Sequence, residues 1–191
     1  MKARLGLLCI LLGAVLWLGA ADLYGRNQSE SDQAGQRCAQ VVSVLRALES
    51  ETPASTVPSQ QEMAVVQVDD YSYIGYLSIP SLGLELPVMD HWDDARLKIA
   101  PCRLSGSIET DDLILAGHNY KAHFGPIRRL TPGDQVLFTA MDGSTVSYRV
   151  CRVETVSSTA VSEGLSGSDL TLFTCTYGGP GRIRVRCVRS E

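Results

Sequence analysis

The sequence predicts a mostly β fold, a small barrel or sandwich, carried behind an N-terminal helical region. Two observations predict the β part. From Tyr73 onward the chain breaks into short apolar, β-branched runs, and the breaks are turn signals: Pro80 to Gly83, Pro132-Gly133-Asp134 and Asp142-Gly143. Such runs at close spacing, with only brief helical candidates near residues 93–99 and 123–130, are the pattern of a barrel or sandwich. A third observation predicts the helical part. Leu5 to Ala21 is an unbroken uncharged stretch preceded by Lys2 and Arg4.

The chain has 191 residues, enough for one domain with appendages, and 45% hydrophobic content supports a substantial core. Its formal charge is -4 and it has no long basic run, which argues against a nucleic-acid partner. No internal repeat is evident.

Taken in order, Leu5 to Ala21 is about long enough to cross a bilayer as a helix. The flanking cations favour a cytoplasmic N-terminus, which leaves the remainder outside the cell. A cleaved signal peptide is the competing reading, because Gly19-Ala20-Ala21 resembles a cleavage site; the length of the run favours an anchor. Residues 1–25 are therefore expected to be a signal-anchor transmembrane segment.

Residues 26–62 are expected to hold a stalk helix, with packing on the domain as its alternative, and a linker. Arg26 to Gly35 is polar and reads as a spacer. Residues 36–50 set Val41, Val44, Leu45 and Leu48 at helical intervals, and residues 51–62, with two prolines, read as linker. The folded domain is expected over 63–191, with strands at 73–79, 84–88, 113–116, 135–139, 145–156, 170–174 and 183–188.

Six cysteines on an exported chain suggest disulfides, but no spacing among Cys38, Cys102, Cys151 and Cys187 resembles a zinc motif. Cys151 and Cys187 lie in strand-like runs, either bridged or buried as small apolar groups.

The chemistry is sought in LTLFTCTYGGPGRIRVRCV, residues 170–188. Cys175 closes one apolar run and Arg182 opens the next across a short turn-rich loop. A thiol and a guanidinium so placed can face one pocket, as a nucleophile and an oxyanion partner require. The thiol needs a base or an electropositive setting, and His118, which follows the apolar run Leu113 to Gly117 in LILAGHNY, is the best placed of three histidines. His91 reads as a surface-loop residue; His123 reads as a supporting or exposed one. Arg182, Arg184 and Arg186 alternate with apolar residues and share one strand face, so at least one of Arg184 and Arg186 is expected to be a solvated surface charge.

TLFTC followed by a strand-opening arginine, with AGHN upstream, resembles the sortases, membrane-anchored cysteine transpeptidases of bacterial surfaces. The resemblance runs from about Tyr73 to Val188 and includes IGYLSIPSLGLELPV and the PGDQV turn. It implies an eight-stranded sortase-type β-barrel with its site at one end. It also implies that Cys175 is the nucleophile, His118 the general acid and base, and Arg182 the oxyanion-stabilising or substrate-positioning residue, with Thr174 beside the nucleophile. Thr174, Asn119 and Tyr177 are expected to contact substrate. The loop between Cys175 and Arg182 holds six residues, short for that family.

The implied reaction cleaves an LPXTG-like sorting signal near the C-terminus of an exported protein through a Cys175 thioester, then transfers the protein to a cell-wall precursor or pilin amine. The implied location is the cell membrane, single-pass, with the domain outside. No metal cofactor is implied; some sortases bind calcium through carboxylates, and none is singled out here. The absence of a second apolar segment tilts the expectation toward protein anchoring rather than pilus polymerisation. A membrane-tethered cysteine peptidase and a non-catalytic tethered barrel are the alternatives.

Overall fold

The computed structural model describes residues 2–51, 63–158 and 167–190, with side chains of the first segment described from residue 10 to 49. The expected linker at 51–62 lies almost entirely outside these residues.

Among the described residues one α-helix, α1 (Lys2–Glu51), precedes nine strands: β1 (Val66–Val68), β2 (Tyr71–Ile79), β3 (Leu84–Met89), β4 (Cys102–Ser105), β5 (Leu113–Ala116), β6 (Gln135–Ala140), β7 (Thr145–Val156), β8 (Leu170–Cys175) and β9 (Arg182–Arg189). Short 3-10 turns cover Pro80–Leu82, Arg96–Lys98 and Gly125–Arg129, the last two where brief helices were expected. The sheet order is β1-β2-β3-β4-β5-β8-β9-β7-β6, and β2 also pairs with β6. That last pairing closes β2 to β9 into an eight-stranded barrel, with β1 a three-residue addition at the edge of β2. Closure removes the free edges that an open sheet would expose.

Seven strands fall where the alternation of apolar residues predicts them. The two others carry too little apolar sequence to be picked out: β1 has three residues, and β4 carries Arg103 in place of an unbroken apolar run. Pairings are antiparallel except β3 with β4 and β5 with β8. The second of these matters for the site, because it brings the C-terminal ends of β5 and β8 side by side. The core inside the barrel is built from Ile74, Leu77, Val88, Leu113, Leu115, Phe138, Tyr148, Leu172 and Val185, all fully enclosed.

Three features of the N-terminal region bear on what was expected of it. First, the polar stretch Arg26 to Gly35 is not a spacer but part of α1. It contains no proline, and pairs four residues apart hold it: Arg26 with Asp22 at 3.0 Å, Gln28 donating to Asp32 at 3.0 Å and Gln33 donating to Ser29 at 3.2 Å. Second, of the two arrangements expected for the helix, α1 takes the packed one. Ser31, Ala34, Cys38, Val41, Val42 and Leu45 form a buried stripe against the barrel, whereas Val44 faces solvent. Gly35 permits this close approach, since a Cβ there would sit 2.8 Å from Ala122 Cβ. Third, among the described residues no helix is long and apolar enough to cross a membrane. Leu5 to Cys9 of the expected span lie outside the described side chains, while Ile10, Leu11, Leu12, Val15, Leu16, Trp17 and Leu18 are exposed.

The described cysteines, Cys38, Cys102, Cys151, Cys175 and Cys187, are all free. Cys151 sits at a bulge in β7, where its thiol donates to the Arg186 carbonyl, while Cys187 is enclosed in the core.

Candidate active site at the end of β5 and β8

Cys175 ends β8 and Arg182 begins β9, and the two are direct partners in the antiparallel register. Both line a cleft of about 330 Å³ with Trp92, Asp94, Leu97, Leu104, Ala116, Gly117, Phe173 and Thr174. Cys175 is exposed. The Arg182 guanidinium donates through Nη1 to the Gly181 carbonyl at 3.2 Å, which tethers it to the loop and leaves further N–H groups for other partners.

His118 follows β5 by two residues. Parallel pairing matches Ala116 with Phe173, the Gly117 N–H donates to the Phe173 carbonyl at 2.9 Å, and Thr174 Oγ1 donates to the Gly117 carbonyl at 2.9 Å. One residue further along each strand come His118 and Cys175, at neighbouring strand ends. Gly117 is required for this arrangement, because a Cβ there would lie 2.6 Å from the Phe124 ring.

The structure thus places Cys175 and Arg182 on one cleft and His118 at the adjoining strand end. His118 is not among the residues lining that cleft. Its ring packs at 3.8 Å, centroid to centroid, on Tyr120, and its Nδ1 is buried with no hydrogen-bond partner among the described residues. Burial, and then the Lys98 charge, lower the His118 pKa; Glu30 opposes them.

The other expected site residues fall differently. Thr174 is buried, and its hydroxyl is used in tying β8 to β5. Tyr177 donates through its hydroxyl to the Asn119 carbonyl at 2.7 Å and lies under the Arg128 guanidinium at 4.6 Å. Neither Tyr177 nor Asn119 lines the Cys175 cleft; Tyr177 lines a separate groove against α1. His91 is exposed and paired with Asp90. His123, in the turn after β5, is fully buried rather than exposed, with Nε2 3.4 Å from Cys38 Sγ. The expected solvated arginine is also corrected: Arg184 is buried and paired with Glu154 at 2.8 Å, and Arg186 is half-buried and donates to Ser168.

Sequence reasoning missed Trp92, Asp94, Leu97 and Leu104 as cleft residues. The available signal was Trp92 itself, a large aromatic in a loop otherwise rich in aspartates, and it remains half-exposed at 51%.

A closed barrel with an exposed thiol facing an arginine across two strand ends suits acyl transfer through a thiol, and comparison with known proteins places it in a family. The family model described as Sortase domain matches residues 77–190, more than half of the chain. The protein belongs to the sortase family and is a cysteine transpeptidase. Among solved structures it is similar to sortase C1 from Streptococcus agalactiae at 27% identity and a TM-score of 0.53, covering 65% of this chain and 71% of that one. It is similar in fold to sortase C from Streptococcus pneumoniae, at 19% identity, TM-score 0.56, and 86% and 90% coverage. The same holds for sortase A from Corynebacterium diphtheriae, at 18% identity, TM-score 0.58, and 91% and 96% coverage. No curated protein sequence matches the chain.

Proposed function

We propose that this sortase cleaves a sorting-signal peptide of LPXTG type in an exported protein and transfers the protein to an amine, with Cys175, His118 and Arg182 as the reacting groups. The observation that carries the reading is the direct pairing of Cys175 with Arg182 on one cleft, beside the strand end that bears His118. The Cys175 thiolate attacks the backbone carbonyl carbon of the signal threonine, forming a C–S bond and a tetrahedral oxyanion. Arg182 donates to that oxyanion. As the C–N bond breaks, protonated His118 gives its proton to the departing amine. The acceptor amine then attacks the thioester, the new C–N bond forms, the C–S bond breaks, and His118 takes up the amine proton.

Substrate contacts by Thr174, Asn119 and Tyr177 belong to this reading in unequal degree. Thr174 lines the cleft, whereas Asn119 and Tyr177 shape the loop beside it. The cleft is mostly apolar around the thiol, which suits the leucine and proline side chains of such a signal. The chemistry proposed calls on no metal.

Members of the family are generally membrane-associated. The reading has the enzyme tethered outside the cell through its N-terminal apolar run, where exported proteins and a cell-wall or pilin amine meet it. Lys2, Arg4 and the exposed apolar side chains from Ile10 to Leu18 support that tether. Mass spectrometry of a model signal peptide incubated with and without an amine tests the reaction. A peptide–amine adduct that requires Cys175 is the expected product. Equal adduct formation by Cys175→Ala overturns the assignment, and free acid as the only product with amine present makes the enzyme a peptidase.

A further inference from the structure

Resting on the assignment of His118 as the acid and base, we infer that Glu30, on α1, is a positioning residue for that histidine, acting through the phenol of Tyr120. The chain of contacts is short. Tyr120 donates through its hydroxyl to Glu30 Oε2 at 2.8 Å, and the same Tyr120 ring lies 3.8 Å from the His118 ring, tilted by 37°. Tyr120 is itself buried, so its ring is held between the helix and the histidine.

Among the described residues, no hydrogen-bond partner orients the histidine through its buried nitrogen. A catalytic imidazole is commonly oriented by a carboxylate or carbonyl on its second nitrogen. Here Nδ1 is buried and has no partner among the described residues. The imidazolium that must form when His118 carries a proton is therefore left to its surroundings. A phenol whose O–H points at a carboxylate is polarised toward greater electron density in the ring, and an aromatic face so enriched attracts a cation stacked on it.

The groups that face His118 come from three elements. Glu30 is on α1, with Arg37 further along the same groove; Lys98 is on the 3-10 turn at Arg96–Lys98; Tyr120 and the neutral, buried His123 follow β5. Of the charged groups acting on His118, Lys98 disfavours the imidazolium and Glu30 favours it. Burial and the hydrogen bond to Glu30 push the Tyr120 phenol up to about 12, so it stays a donor throughout the working pH range.

The placement of Glu30 also gives the docked helix a part in the site. α1 is fixed beside the histidine by the Ala122 N–H donating to Ser31 Oγ at 3.2 Å and by the Cys38 thiol donating to the Ile99 carbonyl at 3.2 Å. Glu30 is thereby presented to Tyr120 by a rigid element rather than by a loop.

The test uses the full chain and compares Glu30→Gln with Glu49→Gln. Glu49 is on the same helix and accepts a tyrosine hydroxyl in the same way, from Tyr76 at 3.0 Å, so its variant reports what losing one helix-to-barrel bond does by itself. In Glu30→Gln the His118 ring proton, followed by NMR, is expected to titrate at lower pH than in the parent. Transpeptidation kcat/KM is expected to fall about threefold to tenfold at neutral pH, the loss of one hydrogen bond's worth, and to recover as pH is lowered toward the new titration point. Glu30→Asp, which keeps the charge, is expected to restore part of the rate. An unmoved His118 titration, or the same titration and rate change in Glu49→Gln, overturns the role of Glu30. A shifted titration with an unshifted pH–rate profile instead overturns the assignment of His118 as acid and base.

Discussion

Cys175 and His123 show how differently two polar side chains can be held within the same end of the barrel. Cys175 stands exposed at a strand terminus, opposite an arginine. On the proposed roles, Cys175→Ala abolishes the thioester, and Arg182→Ala leaves a folded enzyme slowed by about 10²–10³, the usual cost of an oxyanion donor. Steady-state rates alongside circular dichroism check both. His123 is enclosed against Cys38, and burial, then the neighbouring His118, hold its pKa down to about 4 from an ordinary 6.5. The unfolded chain therefore takes up a proton that the folded protein refuses over that interval. Stability is fully present above about pH 6.5 and declines as pH falls toward about 4, by about 3 kcal/mol. Urea midpoints at pH 7 and pH 4.5 measure this, and His123→Gln is expected to flatten the dependence.

At the scale of elements, α1 decides more than its sequence suggests. Its docked face uses small residues, Ser31, Ala34 and Gly35, followed by Cys38, Val41, Val42 and Leu45. The first three carry little hydrophobic signal, so only the second half of the stripe is visible as an amphipathic pattern. Gly35→Leu sets a side chain into space already held by Ala122, and overpacking of this kind costs about 1–3 kcal/mol. The expected result is a lower urea midpoint and faster amide exchange at Ala122, whose N–H is tied to Ser31. Unchanged exchange there would mean that the helix does not rest on Gly35. Strand β9 teaches the converse: alternation correctly sets Arg182, Arg184 and Arg186 on one face, but the partner strand converts Arg184 from a surface charge into a buried pair with Glu154.

For the whole molecule, the helix and the barrel share one core. Cys38, Val41 and Leu45 belong to the same cluster as Ile74, Leu77 and Leu86. A fragment that starts at Met63 would expose the barrel face that these residues cover, at roughly 1.5–3 kcal/mol for each large apolar side chain uncovered. Such a fragment is expected to unfold at lower urea and to bind a hydrophobic dye that the full chain does not; equal midpoints would show the helix to be a passive appendage. The closing pair β2–β6 and the parallel pair β5–β8 are likewise properties of the whole, joining residues some sixty positions apart in sequence.

The sequence alone determined the strands long enough to show a period, the turns between them and the three residue types that suit acyl transfer, because these depend on neighbours within a few positions. Local pattern also revealed that Cys175 ends a strand and Arg182 begins the next. Only the tertiary structure decided that Trp92 and Leu104 line the cleft, that Arg184 is buried, that the polar stretch from Arg26 is helix, and that Glu30 reaches Tyr120. Those facts depend on which distant segments meet, and a residue's own neighbours in the chain carry no record of what packs against it.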